Sequence, residues 1–152
     1  MAAHPHPLVH VRPSRVHLWR LPVAITAAAL VAGADLTWKA AVLTTHHGAY
    51  AMDQPTSIIR PAGAIAVGLL ALVGVLMLPP LCVPGALLVV GGAVSNIASL
   101  ALWHAVPNPL GVHVAGGILH FCLADVCVWT GGLLFLLPFL WTVWRMPAER
   151  FA

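Results

Sequence analysis

Four long runs of apolar residues, separated by short polar segments, constrain this chain more than any other feature. A helix needs about 20 mostly apolar residues to cross a bilayer, and the runs cover residues 21–43, 62–78, 82–103 and 117–144. Apolar residues make up 61% of the 152 residues and charged residues only 7%, which excludes a water-soluble domain of this size. We therefore expect an all-α membrane protein with four transmembrane helices and a small extracytoplasmic segment between helices 1 and 2.

The positions of the basic residues predict the orientation. Arg12, Arg15 and Arg20 precede the first apolar run, and Arg145 and Arg150 follow the last one. Loops rich in Lys and Arg remain in the cytoplasm, so both termini are expected there. That orientation requires an even number of spans, and the four apolar runs satisfy it.

The predicted organisation is an arm, one membrane domain and a tail. The arm, residues 1–19, is rich in His, Pro and Arg and is expected to be disordered and attracted to anionic headgroups. The four-helix domain covers residues 20–146, and a cytoplasmic tail covers 147–152. The first run also fits a cleavable signal peptide, but it resumes after Asp35, which favours a retained helix.

Several polar residues interrupt the apolar runs and are candidate site residues. Asp35 and Lys39 are spaced i, i+4 and share one helix face, either as a pair near the interface or facing the bundle interior. Asn96 and Ser99 share a face near the outer end of the third run. Asp125 precedes nearly twenty apolar residues, so it is either a functional carboxylate or a helix cap.

Other site patterns are missing from the sequence. The cysteines form neither a disulfide framework nor a CxxC metal motif, and no phosphate-binding or nucleophile motif occurs. Basic residues are too few and scattered for a nucleic-acid surface. We expect no cofactor, no metal and no nucleic-acid partner.

Three short motifs together resemble the signal peptidase II family, the membrane aspartic peptidases that remove signal peptides from lipid-modified bacterial prolipoproteins. Residues 35–39, Asp-Leu-Thr-Trp-Lys, resemble the family's Asp-x-x-x-Lys in the first helix. Residues 91–96, Gly-Gly-Ala-Val-Ser-Asn, resemble its Gly-Gly-Ala-x-Gly-Asn in the third. Residues 121–125, Phe-Cys-Leu-Ala-Asp, resemble its Phe-Asn-x-Ala-Asp, which supplies one of two catalytic aspartates. The resemblance covers most of the chain beyond the arm.

The resemblance implies a location, partners and site residues. The expected location is the bacterial cytoplasmic (inner) membrane, and the expected partners are membrane lipid and lipid-modified prolipoprotein signal peptides. The implied catalytic residue is Asp125. The implied substrate-binding or supporting residues are Asp35, Lys39, Asn96 and Ser99.

The departures from the family pattern fall at the catalytic positions. The family's second aspartate lies in a Val-x-Asp-Phe motif, and here residues 106–109 read Val-Pro-Asn-Pro, which places Asn108 at that position. Ser99 and Leu100 stand where the family has Asp-Arg, and residues 46–48, His-His-Gly, are the best match to its outer Asn-x-Gly. The dyad is therefore Asn108 plus Asp125.

An aspartic dyad needs two carboxylates that share a proton, and an amide cannot ionise. Losing a general base typically costs about 10²–10⁴ in rate, so we expect a homologue with weak or lost peptidase activity unless Asp35 or His120 partners Asp125. One alternative is a pseudoenzyme that binds lipoprotein precursors or a membrane partner. Another is a four-helix protein that binds haem or a metal. Its candidate ligands are His46, His47, His104, His113 and His120.

Overall fold

The computed structural model describes residues 16–45, 50–55 and 59–144 of the chain. Most of the predicted arm and the whole predicted tail lie outside these ranges, as do His46 and His47. Within them the protein is mostly helical, with four helices that match the four apolar runs. They are α1 (Arg20–Thr45), α2 (Ile59–Met77), α3 (Val83–Trp103) and α4 (Leu123–Trp144).

Three of these helices are long and apolar enough to cross a membrane. The qualifying stretches are Arg20–Thr45, Pro80–Trp103 and Leu123–Thr142, while the apolar part of α2, Pro61–Met77, is shorter. Large apolar side chains also point outward along the helices, such as Leu70 at 71% exposure and Trp129 at 77%. Outward apolar faces of this extent suit a lipid environment and not water. The chain is a membrane protein.

The prediction of an all-α fold is wrong in the segments that connect α1 to α2 and α3 to α4. Four short strands form two antiparallel pairs: β1 (Ala51–Asp53) with β2 (Val106–Asn108), and β3 (Leu110–Val114) with β4 (Gly117–Phe121). The predicted fourth span began at residue 117, but α4 begins at Leu123 because the preceding apolar residues pair with β3. Gly116 makes the hairpin turn, with a φ of 105° that favours glycine.

Helix α3 is the centre of the bundle and packs against the other three helices. Its glycines allow close approach to α4. A Cβ on Gly85 would lie 2.5 Å from the carbonyl oxygen of Gly131, and one on Gly92 would lie 2.5 Å from that of Ala124. Both separations are far below van der Waals contact, so these positions require glycine, as expected for close helix packing in a membrane.

Candidate functional site

Strand pairing brings two separate loops over the end of the bundle where α1 ends and α4 begins. The register of β1 and β2 places Ala51 opposite Asn108 and Asp53 opposite Val106. His104 ends α3 in the left-handed conformation, with a φ of 55°, which turns the chain toward β2. The strands therefore cover the region where α1, α3 and α4 present their polar residues.

A buried ion pair lies at the centre of this region. Lys39 Nζ is 2.7 Å from Asp35 Oδ2, and both side chains are fully buried. The ammonium group also donates to Asn96 Oδ1 at 3.1 Å and to Ser99 Oγ at 3.0 Å. Both members of the i, i+4 pair thus face the bundle interior, and Lys39 joins α1 to α3 through its two hydrogen bonds to Asn96 and Ser99.

The carboxylate of Asp35 is saturated by its neighbours. Besides Lys39, Ser95 Oγ donates to Oδ2 at 2.5 Å, and the backbone N–H of Ala124 donates to Oδ1 at 3.0 Å. Asp35 therefore ties α1 to both α3 and α4. A buried, ion-paired carboxylate whose two oxygens both accept hydrogen bonds is a structural link, and it is poorly placed to exchange a proton with Asp125.

Asp125 lies in the first turn of α4 and is partly exposed. Asn96 Nδ2 donates to its Oδ1 at 2.9 Å, while the backbone N–H and the thiol of Cys122 approach Oδ2 at 3.1 Å and 3.2 Å. A side chain that reaches back to the N–H at the start of its own helix is half of a capping box. Asp125 thus caps α4 and also presents its carboxylate outside the bundle core.

Cys122 is a site residue that the sequence analysis missed. Its side chain is fully buried, and its sulfur also lies 3.4 Å from Asn96 Oδ1. Burial raises the pKa of the Cys122 thiol to about 12, so the group stays protonated and can donate to Asp125 or to Asn96. Its place in the Phe-x-x-Ala-Asp motif was the available signal.

Asn108 is near the site but is not bonded to Asp125. The side chain is 8% exposed, and its Oδ1 has no hydrogen-bond partner among the described residues. Strand β2, which carries it, packs against α1, α3 and β4. A buried amide oxygen that accepts no hydrogen bond is costly. A hydrogen-bond donor on a bound molecule would therefore be favourable beside Asn108 Oδ1.

A cavity of about 130 Å³ adjoins the polar cluster. Its lining combines loop, α2 and α3 residues: Asp53, Pro55, Pro61, Ala64, Asn96, Leu100 and Val106. Asn96 links the cavity to the polar cluster, because its amide group donates to Asp125 and the residue also lines the cavity. Asp53 is exposed and contributes a carboxylate residue to the lining of this cavity.

The histidines do not form a site in the described part of the chain. His104, His113 and His120 are exposed, and no group of three His, Cys, Asp or Glu side chains that could hold a metal occurs among the described residues. The ring of His120 lies over Gly111 in the hairpin, 3.6 Å from where a Cβ would be. No contact between His120 and Asp125 is present there.

Comparison with known proteins gives a likeness in fold. Neither a protein-family model nor a curated protein matches this sequence. A solved structure described as a "Bacterial membrane enzyme structure by the in meso method at 2.3 A resolution" superposes with a TM-score of 0.69 at 13% identity, covering 90% of this chain and 98% of that one. At such low identity the likeness shows a shared fold, that of a bacterial membrane enzyme.

Proposed function

We propose that this chain is a divergent signal peptidase II homologue that engages lipid-modified prolipoproteins in a bacterial cytoplasmic membrane. In this proposal all four helices span the bilayer and both termini are cytoplasmic. The placement of the arginines and the even helix number support that topology. Helix α2 is 19 residues long, which lies within the range of about 17–25 residues for a span.

The observation that carries the proposal is the environment of Asp125. A partly exposed carboxylate stands at the mouth of an apolar helix, held by Asn96 and Cys122 beside a cavity. Ionisable groups at such positions are rare and commonly functional. Asp125 would activate a water molecule for attack on the peptide bond of a precursor that lies against the cavity.

The same geometry predicts slow chemistry. Asp35 is committed to Lys39, Ser95 and Ala124, and Asn108 cannot carry a proton as an acid. A single carboxylate must therefore serve as base without a partner that protonates the leaving group. Loss of one such group typically lowers the rate by about 10²–10⁴.

A non-catalytic binding protein is the second candidate, and Asn108 favours it. The amide oxygen of Asn108 can accept a hydrogen bond from a substrate N–H or from a water, and it has no partner among the described residues. A pseudoenzyme of this kind would retain the cavity and grip the precursor without cutting it.

The experiment separates binding from cleavage. Purified protein in lipid nanodiscs is incubated with a diacylglyceryl-modified precursor peptide, and bound and cleaved peptide are measured separately. Slow cleavage lost in Asp125→Asn but kept in Thr130→Val, an exposed control on α4, supports the peptidase. Binding without cleavage supports the pseudoenzyme, and neither binding nor cleavage refutes both.

A further inference from the structure

A second cavity lies at the opposite end of the bundle, near the start of α1. It has a volume of about 270 Å³, and its lining is almost wholly apolar. Two helices and the 3-10 turn Pro80–Cys82 contribute to it, through Trp19, Arg20, Val23, Pro80, Val83 and Pro84. Under the topology proposed above, this cavity faces the cytoplasmic leaflet.

Arg20 is the unusual member of this lining. It is only 6% exposed, and the described residues offer it no carboxylate partner. Its Nη1 donates to the carbonyl oxygens of Val75 at 3.1 Å, in the last turn of α2, and of Leu78 at 2.8 Å, just beyond the helix; carbonyls at a helix end have no partner within the helix. A cation at a helix C-terminus is favourable, but it leaves the positive charge without an anion.

Only Nη1 of Arg20 takes part in these hydrogen bonds. Nε and Nη2 make no hydrogen bond to any described residue, although a guanidinium carries five N–H donors. The indole ring of Trp19 lies 5.4 Å from the guanidinium carbon, and His17 packs edge-on against that ring at 6.3 Å. Trp19 is 68% exposed, as expected for an aromatic residue at a membrane interface.

We propose that this cavity binds one anionic glycerophospholipid, with an acyl chain against Val23 and Val83 and the phosphate at Arg20. The apolar lining suits a hydrocarbon chain. The guanidinium has no carboxylate partner among the described residues, and its Nε and Nη2 suit phosphate, which they can bind through two parallel hydrogen bonds. A net negative headgroup supplies the counter-charge that the described chain lacks, so the site prefers phosphatidylglycerol to phosphatidylcholine.

Fluorescence quenching tests this preference. Nanodiscs contain a small fraction of brominated phosphatidylglycerol in phosphatidylcholine, or brominated phosphatidylcholine in phosphatidylglycerol. The difference between wild type and Trp19→Phe isolates the signal of Trp19. The difference between wild type and Trp129→Phe isolates that of Trp129, which is exposed on α4 and has no basic residue near it in the sequence. We expect about a fivefold preference for phosphatidylglycerol at Trp19, the effect of one basic residue, and none at Trp129.

Two variants and a control complete the test. Val23→Phe fills the cavity and Arg20→Gln removes the charge, so each abolishes the preference. Ile25→Phe, at an exposed position outside the cavity, preserves it. If Arg20→Gln does not fold, Val23→Phe decides alone. Equal quenching by both lipids, an equal preference at Trp129, or a preference that survives Val23→Phe overturns the proposal. The readout is independent of any peptidase activity.

Discussion

Replacing Lys39 by Met tests the interpretation of the buried ion pair as a structural link. The substitution preserves side-chain length and removes the charge. Asp35 then remains in a fully buried position with two donors, Ser95 Oγ and the Ala124 N–H, and no cation. Asn96 Oδ1 also loses its ammonium donor at 3.1 Å.

The expected cost is large because one charge becomes uncompensated. Removing one partner of a buried ion pair typically destabilises a protein by about 3–5 kcal/mol. Replacing both partners removes the isolated charge. We therefore expect the double variant Asp35→Asn with Lys39→Met to recover most of that loss, leaving about 1 kcal/mol for the hydrogen bond that Ser95 can no longer make.

The assay is reversible unfolding in mixed micelles by titration with dodecyl sulfate, followed by helical circular dichroism. Thr37→Met, at an exposed position on the same helix, is the control for the new side chain. The interpretation would be contradicted if the free energy of unfolding of Lys39→Met lay within about 1 kcal/mol of the wild-type value. A double variant less stable than Lys39→Met would also show that Asp35 does not depend on Lys39.

Three further predictions concern other parts of the fold. Cys122 should resist alkylation at pH 8 in the folded protein, as measured by mass spectrometry. Because its pKa is raised from 9.0 to about 12, stability should fall as the pH rises above about 9, where the unfolded thiol ionises first; labelling as fast as in the denatured chain would contradict this. Gly85→Ala should destabilise the protein by about 1–3 kcal/mol in thermal unfolding, because a Cβ there meets the backbone of α4. Gly33→Ala, which meets nothing within 4 Å, should be neutral or stabilising; equal losses would refute the packing argument. Reporter fusions should place Asp53 outside and Ala152 inside, and a mature N-terminus within α1 would contradict the four-span topology.

The helices were predictable because each depends on a local composition. Runs of about 20 apolar residues have few alternatives in a membrane, and the i, i+4 spacing of Asp35 and Lys39 placed them on one face. The hairpin was not predictable in this way. Gly117–Phe121 is apolar and directly precedes α4, so its composition alone did not separate a strand from the first turns of a helix.

The site was predictable only in outline. The spacing placed Asn96 and Ser99 on one helix face, and the apolar run after Asp125 marked that residue. In the structure, Asn96 is hydrogen-bonded to both Lys39 and Asp125. The roles of Ser95 and Cys122 depend on how the helices rotate against one another, which no single segment encodes. The burial of the Asn108 amide, whose oxygen has no partner among the described residues, likewise depends on strand pairing between two distant loops.

The Asn108→Asp substitution tests the central claim most directly. Cleavage of a diacylglyceryl-modified precursor is compared for wild type, Asn108→Asp, and Asn108→Asp with Asp125→Asn. We predict slow cleavage by wild type. The cleavage rate of the single variant should rise, by up to the factor of about 10²–10⁴ that loss of such a group typically costs, and the double variant should show no such rise. The neighbouring prolines stiffen this loop, so recovery is expected to be partial. Strong wild-type cleavage that survives Asn108→Ala but is lost in Asp125→Asn would contradict the account. Asp125 would then work with another carboxylate, and the first to test would be Asp53, which lines the cavity beside Asn96.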